Sequence, residues 1–79
     1  MTIMERLTKV FCTVFEDQLA AESITENATL LEDLGMTSIS LLYMAMATEE
    51  EFGVKFLNED FATLRTVGDV VACIEKKLA

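Results

Sequence analysis

From Ile39 to Ala47 the chain carries no charge, and at roughly 100° per residue this run falls into two apolar stripes on opposite sides of one helix. Ile39, Leu42, Tyr43 and Met46 make one stripe; Leu41, Met44, Ala45, Thr48 and Phe52 make the other. Glu49 and Glu50 prolong the first and Phe52 prolongs the second, which assigns the second to the core. The first is then an acid-rimmed, partly exposed patch of the kind that marks docking surfaces, with a covering loop as the competing reading. The helix is predicted to open at Ser38, just after Leu34-Gly35-Met36-Thr37, and to stop at Gly53.

The same reading places three further helices. Thr2-Ile3-Met4-Glu5 has the spacing of a capping box, followed by Ile3, Leu7, Val10, Phe11 and Val14 on one face, with an end near Gln18 to Ala21. Residues 22 to 37 form a long polar connection in which Ile24, Leu30, Leu31 and Leu34 are expected to pack down, with Thr29 to Glu32 capping a short turn. After the connector Val54-Lys55-Phe56-Leu57, Asn58 is expected to cap one or two turns through Ala62. Thr66-Val67-Gly68-Asp69 reads as a second capping box, opening a helix with Val67, Val70, Val71, Ile74 and Leu78 on its stripe and Lys76 and Lys77 at its end. No alternating strand pattern and no repeat occurs. The expected fold is all-α: a compact four-helix bundle over residues 1–79 as one domain, three longer helices plus one short, with a long first loop.

Composition narrows the chemistry. The net charge of −8 argues against a nucleic-acid or anionic-membrane surface and favours steered encounters with basic partners. No window supplies the roughly 18 apolar residues of a membrane span. Glu5, Arg6 and Lys9 interrupt any signal-peptide core, so a cytoplasmic setting is the default. Histidine is absent and the two cysteines, Cys12 and Cys73, lie far apart, which leaves no zinc spacing and no Cys–His or Ser–His pair. The cysteines read as free thiols. No segment offers the alternating oxygen ligands of a calcium loop. Catalysis by this chain alone is not expected, and no metal is expected.

Ser38 opens the central helix, where free amides and the dipole favour an anionic group on its oxygen. Taken with Leu34-Gly35-Met36-Thr37-Ser38-Ile39, Met46-Ala47-Thr48-Glu49-Glu50-Glu51-Phe52-Gly53 and Thr66-Val67-Gly68-Asp69-Val70, the chain resembles the acyl carrier proteins over most of its length. That resemblance implies 4′-phosphopantetheine on Ser38, placed there from coenzyme A by a phosphopantetheinyl transferase, with acyl groups held as thioesters on the arm. It also implies acyl-loading and acyl-processing enzymes as partners, with basic or apolar patches that meet Ile39, Leu42, Tyr43, Met46, Glu49 and Glu50. Met44, Ala45 and Thr48 are expected to open a pocket for the acyl chain.

The chain departs from the family pattern at Thr37, where aspartate is usual, and at Ser40 and Tyr43, where carriers of fatty acid synthesis tend to have acids. These departures point to apolar docking and a specialised pathway. A carrier of aminoacyl or polyketide groups and an unmodified interaction module remain open beside the acyl carrier, and a stand-alone enzyme is remote. A monomer is expected, since a shuttling carrier needs its docking face free.

Overall fold

A computed structural model describes residues 2–15 and 21–79. Four α-helices occur among them: α1 (Ile3–Phe15), α2 (Ser38–Phe52), α3 (Asn58–Phe61) and α4 (Val67–Leu78), with a 3-10 turn at Ala21–Ser23. Of the expected end of α1 near Gln18 to Ala21, residues 18–20 lie outside the described residues, and Ala21 already begins the 3-10 turn.

Each long helix starts where its sequence offers an acceptor. The Thr2 hydroxyl accepts the Glu5 amide and the Glu5 carboxylate accepts the Thr2 amide, both at 3.1 Å. Thr66 and Asp69 repeat the exchange at the start of α4, at 3.2 and 3.1 Å. At α3 the expected cap is corrected. Asn58 is the first helical residue, and the turn is closed by Asp60, whose carboxylate accepts the Leu57 amide at 2.7 Å.

Leu7 and Phe11 of α1, Met44 and Thr48 of α2, and Val67, Val70 and Ile74 of α4 are fully enclosed. Leu78, expected on the buried stripe, is half exposed where α4 runs out. Thr48 is a polar group in this apolar centre, and its hydroxyl is satisfied by donating to the Met44 carbonyl at 2.7 Å.

The long first loop belongs to the core. Ile24, Ala28, Leu30, Leu34 and Met36 are buried, whereas Leu31 is 58% exposed. The cause is a backbone clamp on the start of α4. Leu30 donates to the Arg65 carbonyl at 2.9 Å, Val67 to that of Ala28 at 3.0 Å, and Gly68 to that of Glu26 at 2.8 Å. This short bridge between Thr29 and Thr66 turns Leu30 inward, so its extended-chain neighbour Leu31 turns outward. The turn that follows is closed by Asp33 instead of Glu32: the Thr29 amide donates to the Asp33 carboxylate at 2.8 Å and the Asp33 amide to the Thr29 hydroxyl at 2.9 Å. Met36 then donates to the Leu30 carbonyl at 3.0 Å, and Gly35, at φ +66°, supplies the left-handed step a side chain would resist. The loop thus delivers the chain to Thr37 in a fixed position.

Candidate attachment site and its docking face

The cap of α2 is Thr37, not Ser38. Thr37 has extended backbone angles, and its Oγ1 accepts the Ser40 amide at 3.2 Å and donates to the Ser40 hydroxyl at 3.3 Å. Ser38 is the first helical residue, exposed, and its hydroxyl has no hydrogen-bond partner among the described residues. The Ser38 and Ile39 amides likewise have no partner among those residues. No acid lies in the first turn of α2. A free hydroxyl beside open amides, at the positive end of a helix and with no carboxylate in its turn, suits a phosphodiester. The dipole favours such a charge by about 0.3–1 kcal/mol when exposed.

Beyond Ser38 the two stripes of α2 separate as the charge pattern required. Met44, Ala45, Thr48 and Phe52 are buried and Leu41 is half-buried against them, while Ile39, Leu42, Tyr43 and Met46 are 68%, 55%, 62% and 64% exposed. No part of the described chain covers these four. Met44, Ala45 and Thr48, expected to open an acyl pocket, are closed into the packed centre.

The acids at the far end of α2 are not a uniformly solvated cluster. The Glu49 carboxylate accepts the Phe56 amide at 2.6 Å, and its carbonyl accepts the Gly53 amide at 2.8 Å. Glu49 therefore ties the α2–α3 connection back onto α2, with Gly53 in the left-handed conformation at φ +67°. Glu51 pairs with Arg6 of α1 at 3.0 Å, and the same guanidinium lies 4.4 Å from the centre of the Phe52 ring. Glu50 is exposed and forms no ion pair among the described residues.

Between α1 and α2 runs an open groove of about 560 Å³ lined by Arg6, Lys9, Val10, Thr13, Val14, Ala47, Glu50 and Glu51. Sequence periodicity did not reveal it. Elsewhere, burial pushes the Cys73 thiol up, aided by the Asp60 charge, so it stays protonated and a weak nucleophile. Cys12 and Cys73 are free thiols, and no cluster of potential metal ligands occurs among the described residues.

Residues 5–74 match the family described as phosphopantetheine attachment site. The acyl carrier protein of Thermotoga maritima is 49% identical over 55 residues, 70% of this chain and 68% of its own length. The meromycolate extension acyl carrier protein of Mycobacterium tuberculosis is 49% identical over 53 residues, 67% of this chain. That match spans only 46% of the mycobacterial protein. Among solved structures, the acyl carrier protein from Enterococcus faecalis has a TM-score of 0.75 at 31% identity, covering 98% of this chain and 99% of that one. The chain belongs to the acyl carrier proteins of the phosphopantetheine-attachment family, whose prosthetic group is 4′-phosphopantetheine. No helix among the described residues is long and apolar enough to cross a membrane.

Proposed function

We propose that this chain holds acyl intermediates on a 4′-phosphopantetheine arm esterified to Ser38 and presents them to separate enzymes, without catalysis of its own. The observation that carries this is the Ser38 hydroxyl: exposed, free of hydrogen bonds among the described residues, and placed one residue before an exposed apolar face. When bound, the arm supplies a flexible tether ending in a thiol that takes an acyl group as a thioester. In the loading reaction the Ser38 oxygen forms a bond to phosphorus as the pyrophosphate bond of coenzyme A breaks and adenosine bisphosphate leaves. The serine proton passes to a base on the transferase, because no titratable side chain of this chain hydrogen-bonds Ser38 among the described residues.

The partners in this reading are a phosphopantetheinyl transferase and acyl-loading and acyl-processing enzymes, met through Ile39, Leu42, Tyr43, Met46 and Glu50. Glu49 contributes only the edge of its already engaged carboxylate. A specialised lipid or secondary-metabolite pathway in the cytoplasm is the setting, supported by the neutral Thr37, Ser40 and Tyr43 around the attachment point. Relatives named for meromycolate extension lie in the same direction.

The test is intact mass after incubation with coenzyme A, magnesium and a broad-specificity transferase, beside Ser38→Ala and Ser40→Ala. A gain of one phosphopantetheine that only Ser38→Ala abolishes is the expected result. Absence of any gain, persisting in Thr37→Asp, would replace the carrier reading with that of an unmodified interaction module.

A further inference from the structure

Ser38, Leu42, Met46 and Glu50 follow one another at four-residue spacing and form one ridge along α2. Ile39 and Tyr43 begin the ridge beside it. Ile39, Leu42, Tyr43 and Met46 are all exposed. From Ser38 to Thr48 the helix carries no charge. Between Ser38 and Glu50 the two ridges offer a single hydrogen-bonding side chain, the Tyr43 hydroxyl. The helix face turned the other way gives no room, because Met44, Ala45 and Thr48 are enclosed in the packed centre. The apolar surface open to anything tethered at Ser38 therefore lies on the outside of the bundle.

A tether on Ser38 starts on the same ridge as Leu42. At about 1.5 Å of rise per residue, Met46 lies about 12 Å along the helix from Ser38, and Glu50 about 18 Å. From phosphorus to sulfur the phosphopantetheine arm has roughly thirteen bonds and extends about 15 Å. Its thiol thus passes Met46 and stops short of the Glu50 carboxylate. Beyond its phosphate the arm is uncharged, made of methyls, methylenes, one hydroxyl and two amides. Such a group covers an apolar ridge without stripping water from an ion, and its amides keep the Tyr43 hydroxyl and solvent as partners.

We infer that the Leu42–Met46 ridge, with Tyr43 beside it, is a resting cradle for the arm carried by the same chain's Ser38. The thiol or a short acyl thioester then lies on the outside of α2 between enzyme visits. The inference rests on the Ser38 reading and adds a site for the arm itself. Tethering holds the arm at a millimolar effective concentration, so a contact of millimolar intrinsic affinity is occupied about half the time. So weak a hold yields to an enzyme that takes the same face.

Tyr43 is the only tyrosine and the chain has no tryptophan, so intrinsic emission reports this ridge directly. Acrylamide quenching is compared between the apo chain and the holo chain made with coenzyme A, magnesium and a broad-specificity transferase, with loading confirmed by intact mass. The quenching constant is expected to be lower in the holo chain by up to about twofold, as half occupancy dictates. Leu42→Glu and Met46→Glu are expected to erase that difference, whereas Leu78→Glu, the same kind of change on an exposed residue of α4, preserves it. Melting curves confirm that each variant is folded. In a second measurement the ¹⁵N-labelled chain is loaded from coenzyme A bearing a nitroxide on its thiol, and amides of residues 42–50 are expected to broaden selectively. Equal quenching of apo and holo chains, or broadening spread evenly over the surface, overturns the cradle, and a mass gain then still leaves Ser38 as the attachment point. The same broadening in ¹⁵N apo chain mixed with unlabelled nitroxide-loaded chain would assign the contact to the arm of a second copy and overturn the cradle as stated. No mass gain overturns the attachment reading and the cradle with it.

Discussion

Thr37 caps the central helix through a 3.2 Å hydrogen bond from the Ser40 amide, and so spares Ser38 that duty. An oxygen that must be esterified cannot also serve as the acceptor that starts the helix without the two roles competing. Here they fall to adjacent residues. Thr37→Ala is expected to destabilise the fold by about 1 kcal/mol, lowering Tm by roughly 4–8 °C, as loss of a cap does. Ser38→Ala, which removes an exposed hydroxyl without partners among the described residues, is expected to stay within about 0.5 kcal/mol of the parent. Thermal melts of the two variants decide this, and equal losses would show that the Thr37 hydroxyl has no special part in starting the helix.

Gly68 illustrates a glycine kept for contact, not for dihedral freedom. A Cβ there would lie 3.0 Å from the Glu26 carbonyl oxygen. That same oxygen accepts the Gly68 amide at 2.8 Å, so it cannot withdraw without losing the bond. Gly68→Ala gains up to about 1 kcal/mol of helix propensity but forces the clamp apart, and crowding of this kind costs about 1–3 kcal/mol. A net loss of roughly 1 kcal/mol is expected, with faster hydrogen exchange at the Leu30, Val67 and Gly68 amides. A more stable variant with unchanged exchange would show that the loop yields freely.

These two positions mark how far the sequence could be read. Both capping boxes and the split of α2 into an enclosed and an exposed stripe were legible, because each depends on neighbours within one helical turn. The start of α2 at Ser38 was legible as well, but the capping role of Thr37 was not, and only the geometry of α2 shows it. Leu31 was expected inside with Leu30. Its outward turn comes from pairing Thr29 with Thr66, a contact across 37 residues that no local pattern encodes. Asn58 has the better capping chemistry in isolation, yet Asp60 closes α3 because Lys77 of α4, 2.9 Å away, holds its carboxylate in place. The groove at Ala47 was invisible for the same reason: it is made by two helices, and neither alone predicts it.

Glu49 was expected to face partners, and the structure gives its carboxylate to the Phe56 amide at 2.6 Å. This bond joins α2 to the connector that carries Phe56, whose ring lies 6.2 Å from Phe61 at a tilted angle. Glu49→Ala leaves a half-buried amide without an acceptor and is expected to cost roughly 1–2 kcal/mol. Glu49→Gln retains an acceptor oxygen and is expected to lose less. Exchange at the Phe56 amide is the direct readout. If it stays slow in Glu49→Ala, the connector is held by its side chains, and Glu49 is free for docking after all.

The acid limb of the stability curve follows from three carboxylates. Glu5 is held below the usual carboxylate range by the Thr2 amide and then by the Thr2 hydroxyl. Asp60 is lowered by the Leu57 amide and then by Lys77, and Asp69 by the Thr66 and Arg65 amides. For each, the folded pKa lies below the unfolded one. The stabilisation is therefore complete above the unfolded value of about 4 and disappears as pH falls through the folded value. Lys77 is raised by its bond to Asp60, so its own share is lost only as pH rises through that elevated value, far from the acid limb. Tm is thus expected to decline as pH falls below about 4. In the triple variant Glu5→Gln, Asp60→Asn, Asp69→Asn, Tm at neutral pH is expected to be lower and the acid limb shallower. The two curves should converge at the lowest pH, where the parent's carboxyls are protonated as well. Circular dichroism melts between about pH 7 and 2 test this, and an acid limb as steep in the triple variant as in the parent would assign it to other groups.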